Sequence, residues 1–328
     1  MKTRNNKTIL LTLLSIIIIF GAGYFVYRKM FGVRKVSVDN SQQGQKIQKY
    51  ANPNAFITPK QLKDLMDKNE NVIVIGALNP SKGDKPISGS FTIWRPDYSA
   101  KNGTYEYEGM RNTVQEMEEL LSKFGATPDS TIVVYASNQH HDAARLWWQI
   151  KLLGHKDVRY LDGGLNAWIG AGYPTGNANP NVKPSNYKAP NPSEASLAKF
   201  DDVANAIGKD NVVIIDTRAK DEEQGTKTLK GAFGPGKIAG AEWIEWTNAV
   251  NEDTTLKSID ELKKIYGHLE NKEIITYCQS GVRSAHTYLV LTQALGFKNV
   301  KNYDGSWIEW SYEHYQKNNP AAKIENGQ

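Results

Sequence analysis

A single cysteine, Cys278, stands in 328 residues, so no intrachain disulfide can form and no cysteine-based zinc site can be built. The six histidines fall in no H-E-x-x-H or comparable ligand spacing, and no metal or cofactor is implied. Charge of one sign is also scarce. Forty Lys and Arg against 35 Asp and Glu leave a net +5, and the basic residues are scattered, with no arginine-rich or RNP-like stretch, which argues against nucleic acid as a partner. A hydrophobic content of 40% with 23% charged residues is ordinary for globular chains and excludes general disorder. The lone thiol fits a cytosolic or an exported protein equally well.

Long hydrophobic runs are confined to one place. Lys2, Arg4 and Lys7 precede Ile9 to Tyr27, which carries no charge, includes the block Ile16 to Ile19, and is long enough to span a bilayer as a helix. Residues 1–30 therefore read as a membrane anchor or a signal peptide, with the globular part expected outside the cytoplasm. Basic residues flank both ends, so they give no clean orientation. Residues 31–54, polar and rich in Gln and Asn, read as a tether.

Beyond the tether the chain repeats itself. Asn71 to Gly76 (NVIVIG) matches Asn211 to Asp216 (NVVIID), and Tyr135 to Trp168 aligns without a gap on Tyr277 to Trp310, keeping Gly154 with Gly296, Asp162 with Asp304 and Trp168 with Trp310. The stretch 174–192 between the copies holds five of the 13 prolines and reads as a linker. Each copy, 55–173 and 193–328, alternates β-branched runs with amphipathic stretches, which predicts an α/β domain around a mostly parallel sheet. Thr58-Pro59, Thr113-x-x-Glu116 and Ser258-x-x-Glu261 mark helix starts. Strands are expected at Val72 to Ile75, Thr131 to Tyr135, Val212 to Ile215 and Glu273 to Tyr277, and a helix near Leu197 to Ile207. The Asp-Gly turns Leu161-Asp-Gly-Gly and Tyr303-Asp-Gly-Ser read as structural.

The chemistry concentrates at Glu273 to Leu291 (EIITYCQSGVRSAHTYLVL). An apolar β-type run delivers Cys278 to a turn containing Gly281, and an amphipathic helix follows at once. In that order the turn and the first helical turn hold backbone N–H groups with no intrahelical partners. Those dipoles, the helix N-terminus and Arg283 favour thiolate over thiol, which makes a nucleophile without a histidine base. Cys278-x-x-Gly281-x-Arg283-Ser284 resembles the active-site loop of the rhodanese sulfurtransferases, and the resemblance extends over Phe56 to about Tyr315.

That resemblance implies two rhodanese-like domains, of which the first is inactive. Opposite Cys278, Gly281 and Arg283 stand Ala136, Gln139 and His141, so the first copy has lost nucleophile, turn glycine and cation together and is expected to close one wall of the site. It also implies double displacement: the Cys278 thiolate takes the outer sulfur of a donor such as thiosulfate, a persulfide forms within the N–H groups of Gln279, Ser280, Gly281, Val282, Arg283 and Ser284, and cyanide or a thiol removes the sulfur. Asp216 and Arg218 are expected to support the loop, Asp216 through loop N–H or hydroxyl groups, although a structural ion pair explains Arg218 equally well. His286 reads as a packing residue. Trp243, Trp246, Trp307 and Trp310 could line the pocket, although such aromatics usually pack a core. Family members often carry His-Ile-Pro-Gly-Ala where this chain has Lys237-Ile-Ala-Gly-Ala241.

Within the family, mercaptopyruvate-type loops read Cys-Gly-Ser-Gly-Val-Thr. Here Gln279 and Arg283 replace the glycine and the threonine, which favours thiosulfate over 3-mercaptopyruvate, a substrate whose carboxylate clamp would have to come from Arg95 or Arg218. A rhodanese-fold phosphatase would need Cys-x5-Arg, one residue more than this loop has. A non-enzymatic sulfur carrier or partner-binding module is the other alternative.

Overall fold

The computed structural model describes Arg34 and residues 36–68, 71–138 and 140–327. The uncharged run Ile9 to Tyr27 and the loop residue Gln139 lie outside the described residues. From Val36 onward the chain is one unit built on two sheets of five parallel strands. The first contains β1 (Phe56–Ile57), β2 (Val72–Ala77), β3 (Phe91–Ile93), β4 (Thr131–Tyr135) and β5 (Val158–Leu161), ordered β1-β5-β4-β2-β3. The second contains β6 (Leu197–Ala198), β7 (Val212–Asp216), β9 (Glu242–Trp243), β10 (Glu273–Tyr277) and β11 (Val300–Tyr303), ordered β6-β11-β10-β7-β9. The order is the same in both copies, as the internal repeat predicts. A short antiparallel pair, β8 (Lys237–Ile238) with β12 (Ile324–Glu325), closes the second domain.

The central strands are continuous apolar runs because helices cover both sheet faces. β4 is buried along its whole length, and β10 is buried from Ile274 onward. Register places Tyr277, the residue before the cysteine, beside Asp216 at the carboxyl end of β7, where open α/β sheets assemble their sites. The three sequence-marked helix starts are all capping boxes: Thr58 opens Pro59–Asp67, Thr113 opens Val114–Lys123 and Ser258 opens Ile259–Tyr266. The helix expected near Leu197 begins later, at Phe200–Ala204, because Leu197 and Ala198 pair with β11 as an edge strand.

Two stretches expected to be loose are docked. In the predicted tether, Ser41 caps a helix at Gln42–Gln48, and Ile47 and Tyr50 are buried in the core, a burial worth about 1.5–3 kcal/mol for each apolar side chain. Lys46 reaches both Asp162 and the Leu256 carbonyl, and the Tyr50 hydroxyl donates to the Lys257 carbonyl. This stretch therefore clips the two domains together. The proline-rich linker has no regular secondary structure, but Tyr187 within it is buried and hydrogen-bonds His155.

The domains meet through matching helices. His140–Leu152, which follows β4, packs against Val282–Leu289, which follows β10, and one hydrophobic cluster runs through both domains. Val290–Ala294 continues the second of these helices as a π-helical turn. Three histidines are buried at this seam. His286 sits against Tyr160 and Trp246, and Trp246 also meets His141. Neither ring nitrogen of His140 or His286 has a hydrogen-bond partner. His286 is thus the packing residue its sequence position suggests.

Burial holds all three imidazoles neutral, with His140 pushed down to about 4 and His141 and His286 well below the usual value. A histidine depressed in the folded state leaves the unfolded chain binding more protons at acid pH, so its contribution is present above pH 6.5 and lost as pH falls toward 4. For His140 that contribution is about 3 kcal/mol. Thermal melts should therefore show the melting temperature falling steadily from pH 6.5 to pH 4, with a shallower fall for His140→Leu; a pH-independent melting temperature across that range would contradict the buried neutral state.

Candidate active site

Cys278 lies directly after β10 with no exposed surface. Gly281 takes a left-handed conformation, φ +72°, and opens the helix Val282–Leu289 without a side-chain cap. The first N–H groups of that helix are consequently free for another acceptor. The sulfur takes this role: complete burial pushes its pKa up, but the Arg283 charge, the Ser284 N–H and hydroxyl and the Ser280 N–H outweigh it and hold Cys278 below the ordinary thiol value. The Ser284 hydroxyl donates to Sγ over 3.6 Å. Partial positive charge converging on a dry sulfur in this way suits a thiolate or a persulfide anion.

The loop is pinned from behind by residues that the sequence reading took as structural. The Ser306 hydroxyl accepts from the Cys278 N–H at 3.1 Å and the Gly281 N–H at 2.9 Å while donating to the Tyr303 carbonyl at 2.8 Å. Ser306 pays for this position with a positive φ, +50°, uncommon in a residue with a side chain. The same turn contributes Asp304, which receives Arg145 from the first domain at 2.5 Å and the Arg111 N–H at 3.2 Å. The sequence signal was present in the repeat, because Ser306 stands opposite Gly164; a hydroxyl at that position serves only the copy with the cysteine.

The Arg283 cation is itself paired. Glu222, from the short helix Lys220–Glu223 after β7, binds it in bidentate fashion at 2.6 and 2.8 Å, and its side chain is 16% exposed. The pair fixes the guanidinium beside the sulfur. Glu222 was missed because nothing local in the acidic run Asp221 to Glu223 distinguishes it.

Asp216 and Arg218 support the strand and leave the loop N–H groups to others. Asp216 receives the Arg218 side chain and backbone and the Tyr277 hydroxyl at 2.6 Å. The Arg218 guanidinium also donates to the Gly236 carbonyl and lies between the Tyr277 and Trp307 rings. Arg218 is thereby spent and unavailable as a carboxylate clamp. Asp216 was expected to bond N–H or hydroxyl groups of the loop; the hydroxyl it receives is instead that of Tyr277, on the strand. Trp307 and Trp310 are core residues, Trp243 donates to the Arg218 carbonyl, and Trp246 lies between His141 and His286.

The first domain closes the site. Gly109 approaches so near that a Cβ there would stand 2.8 Å from the Ser280 Cβ, and Tyr107 donates to Glu309 at 2.7 Å. Arg95, whose side chain is 41% exposed, lies close enough for its charge to be coupled to Cys278. Asp142 binds it at 2.7 Å, and His141, which stands opposite Arg283 in the repeat, lies 3.3 Å from it. Among the described residues no group of three or more His, Cys, Asp or Glu side chains is placed to hold a metal ion.

Two α/β domains of one topology, with a buried cysteine presented by a strand–turn–helix loop in the second alone, define a tandem cysteine-loop architecture. The chain belongs to the rhodanese family: the profile of the rhodanese-like domain matches residues 58–171 and 199–313. A relative from Saccharopolyspora erythraea, named "Putative thiosulfate sulfurtransferase", is 42% identical over 203 residues, spanning 59% of this chain and 71% of its own. The sulfur carrier protein TtuD of Thermus thermophilus is 38% identical over 208 residues, spanning 60% and 73%. Among solved structures, the anaerobic ergothioneine biosynthesis enzyme of Chlorobium limicola superposes with a TM-score of 0.73 at 21% identity, covering 85% of this chain and 72% of that one. YnjE superposes with a TM-score of 0.72 at 23% identity, covering 85% and 70%. These two share the fold. Sulfur transfer is the activity class that the family membership supports.

Ser306→Ala tests the pinning of the loop. It leaves two buried N–H groups without their acceptor, at a cost of about 1–3 kcal/mol, so the melting temperature should drop and alkylation of Cys278 by iodoacetamide should require higher pH. Wild-type alkylation behaviour in a destabilised Ser306→Ala protein would show that the hydroxyl serves the fold alone.

Proposed function

We propose that the protein transfers a sulfane sulfur from thiosulfate to cyanide or a thiol through a persulfide on Cys278. The observation that carries this reading is a completely buried thiol whose pKa is nevertheless lowered, by Arg283 and by N–H groups that converge on one atom.

In the first half-reaction the Cys278 thiolate attacks the outer sulfur of thiosulfate. A new S–S bond forms, the S–S bond of thiosulfate breaks, and sulfite departs with the electron pair. The loop N–H groups of Gln279, Ser280, Val282, Arg283 and Ser284 then hold the terminal sulfur of the persulfide, which carries the negative charge one S–S bond beyond Sγ, while the Gly281 N–H stays on Ser306. In the second half-reaction the cyanide carbon, or an acceptor thiolate, attacks the terminal sulfur and returns Cys278 as thiolate. Total charge is unchanged in each half, and no proton donor is needed. Among the described residues, His141 and His286 are poor bases, because burial lowers their pKa well below the usual value, and both pack against Trp246, which is consistent with this.

Thiosulfate is the preferred donor in this reading because Arg283 brings a fixed cation to the sulfur and Arg95 brings a second, more exposed one from the first domain. 3-Mercaptopyruvate would need a carboxylate clamp. Arg218 is committed to Asp216, which leaves only Arg95, itself shared with Asp142. The Thermus relative's name raises a second reading, in which the persulfide passes to a protein acceptor rather than turning over on small molecules. We also assign Ile9 to Tyr27 as a membrane anchor, with the two domains outside the cytoplasm. On that assignment the full chain should fractionate with membranes, and a chain starting at Val36 should be soluble and active.

Kinetics separate these readings. Thiosulfate should show a higher kcat/KM than 3-mercaptopyruvate, Cys278→Ser should abolish turnover, and Arg283→Ala should raise KM for thiosulfate roughly tenfold or more while weakening the dependence of rate on salt. A preference for 3-mercaptopyruvate would overturn the donor assignment. Persulfide formation without turnover on cyanide would favour the carrier reading.

A further inference from the structure

We propose that Arg145, a residue of the domain without a nucleophile, is a positioning residue for the sulfur-transfer loop. Arg145 lies in His140–Leu152, the helix that in this domain follows the position of the lost cysteine. It is 1% exposed. Its guanidinium spans the domain seam: Nη1 donates to the Gly281 carbonyl at 3.3 Å, and Nη2 donates to Asp304 at 2.5 Å and to the Gly109 carbonyl at 3.3 Å.

The contact falls where the loop can least tolerate error. The Gly281 carbonyl also receives the Asn302 amide at 3.1 Å, and the Gly281 N–H is taken by Ser306. Both peptide groups of Gly281 are therefore fixed. With its carbonyl turned toward Arg145 and Asn302, the Gly281 peptide enters the helix in the orientation that leaves the Ser284 N–H acting on Cys278; a rotated peptide would swing carbonyl oxygen toward the sulfur. The guanidinium also occupies the space a side chain would need, because a Cβ on Gly281 would lie 2.7 Å from Nη1 and 2.8 Å from the Asp304 carbonyl. Arg145 joins the three parts of the site, namely the cysteine loop through Gly281, the Asp304 turn that also carries Ser306, and the first-domain loop at Gly109 that covers Ser280. Its planar fork is suited to such a junction, and lysine's single ammonium is not.

The first domain thus does more than cover the site. The helix that follows the position of the lost cysteine braces the equivalent loop of the neighbouring domain. Arg145 is buried and its guanidinium is taken up by Gly281, Gly109 and Asp304, so its effect should appear in the reactivity of Cys278 and in kcat rather than in KM for the donor.

The inference rests on sulfur transfer as proposed above, but its test does not depend on it. Arg145→Lys keeps the buried charge opposite Asp304 and removes the fork. Arg145→Met with Asp304→Asn removes both charges, so that neither is left unpaired. In each folded variant, verified by a cooperative thermal melt, the pH midpoint for iodoacetamide alkylation of Cys278 should rise. Sulfite release in the first turnover with thiosulfate should slow roughly ten- to a hundredfold, with KM for thiosulfate close to wild type. A wild-type alkylation profile in either folded variant would overturn the proposal. If the wild-type protein released no sulfite from thiosulfate, the sulfurtransferase reading would fail, and the alkylation profiles would still decide the role of Arg145.

Discussion

A sulfur with no exposed surface can be biased toward its anion only where fixed dipoles replace water, and the contacts around Cys278 answer that constraint. Taking a charge out of solvent costs far more than one neighbouring cation returns. Cys278 is compensated instead by a set of small contributions, namely N–H groups at a helix start, a hydroxyl and one guanidinium. Dipoles contribute only while they keep their direction. Hence the second set of contacts, which never reach the sulfur: Ser306 on two loop N–H groups, Asn302 and Arg145 on the Gly281 carbonyl, Glu222 on Arg283 and Asp216 on Tyr277.

Both domains take part in this support, and the arrangement is reciprocal in outline. Asp162 of the first domain accepts the Leu256 N–H of the second, while Asp304 of the second accepts the Arg111 N–H of the first. Each carboxylate also holds a cation, Lys46 in one case and Arg145 in the other. Divergence after duplication changed the two turns in different ways. The first keeps glycine at 164, where a Cβ would collide with the Ala136 carbonyl and His140. The second has Ser306, whose hydroxyl reaches the cysteine loop. A buried seam of helix against helix keeps both arrangements in register.

Most of the scaffold was legible in the sequence because its signals are local. Capping boxes at Thr58, Thr113 and Ser258, β-branched runs and the gapless repeat are patterns within one element or between two copies. The cysteine loop was legible for the same reason, since strand, cysteine, glycine and helix are consecutive. What could not be read were the partners brought in by the fold. Glu222 and Arg145 are separated from the residues they serve by long stretches of chain, and no periodicity links them. The tether reading of 31–54 failed on a related point: Ile47 and Tyr50 are too few to look like a core, yet they meet a surface made by both domains. The carboxylate that holds Arg283 follows the neighbouring strand β7, 61 residues earlier in the chain.

The central claim is that Cys278 is held as an anion in order to carry a sulfur atom. The most direct measurement is the intact mass of the protein after exposure to thiosulfate, followed by cyanide. The chain should gain one sulfur atom, located at Cys278, and lose it quantitatively to cyanide as thiocyanate. A folded protein that gains no sulfur, or gains it anywhere other than Cys278, would contradict it.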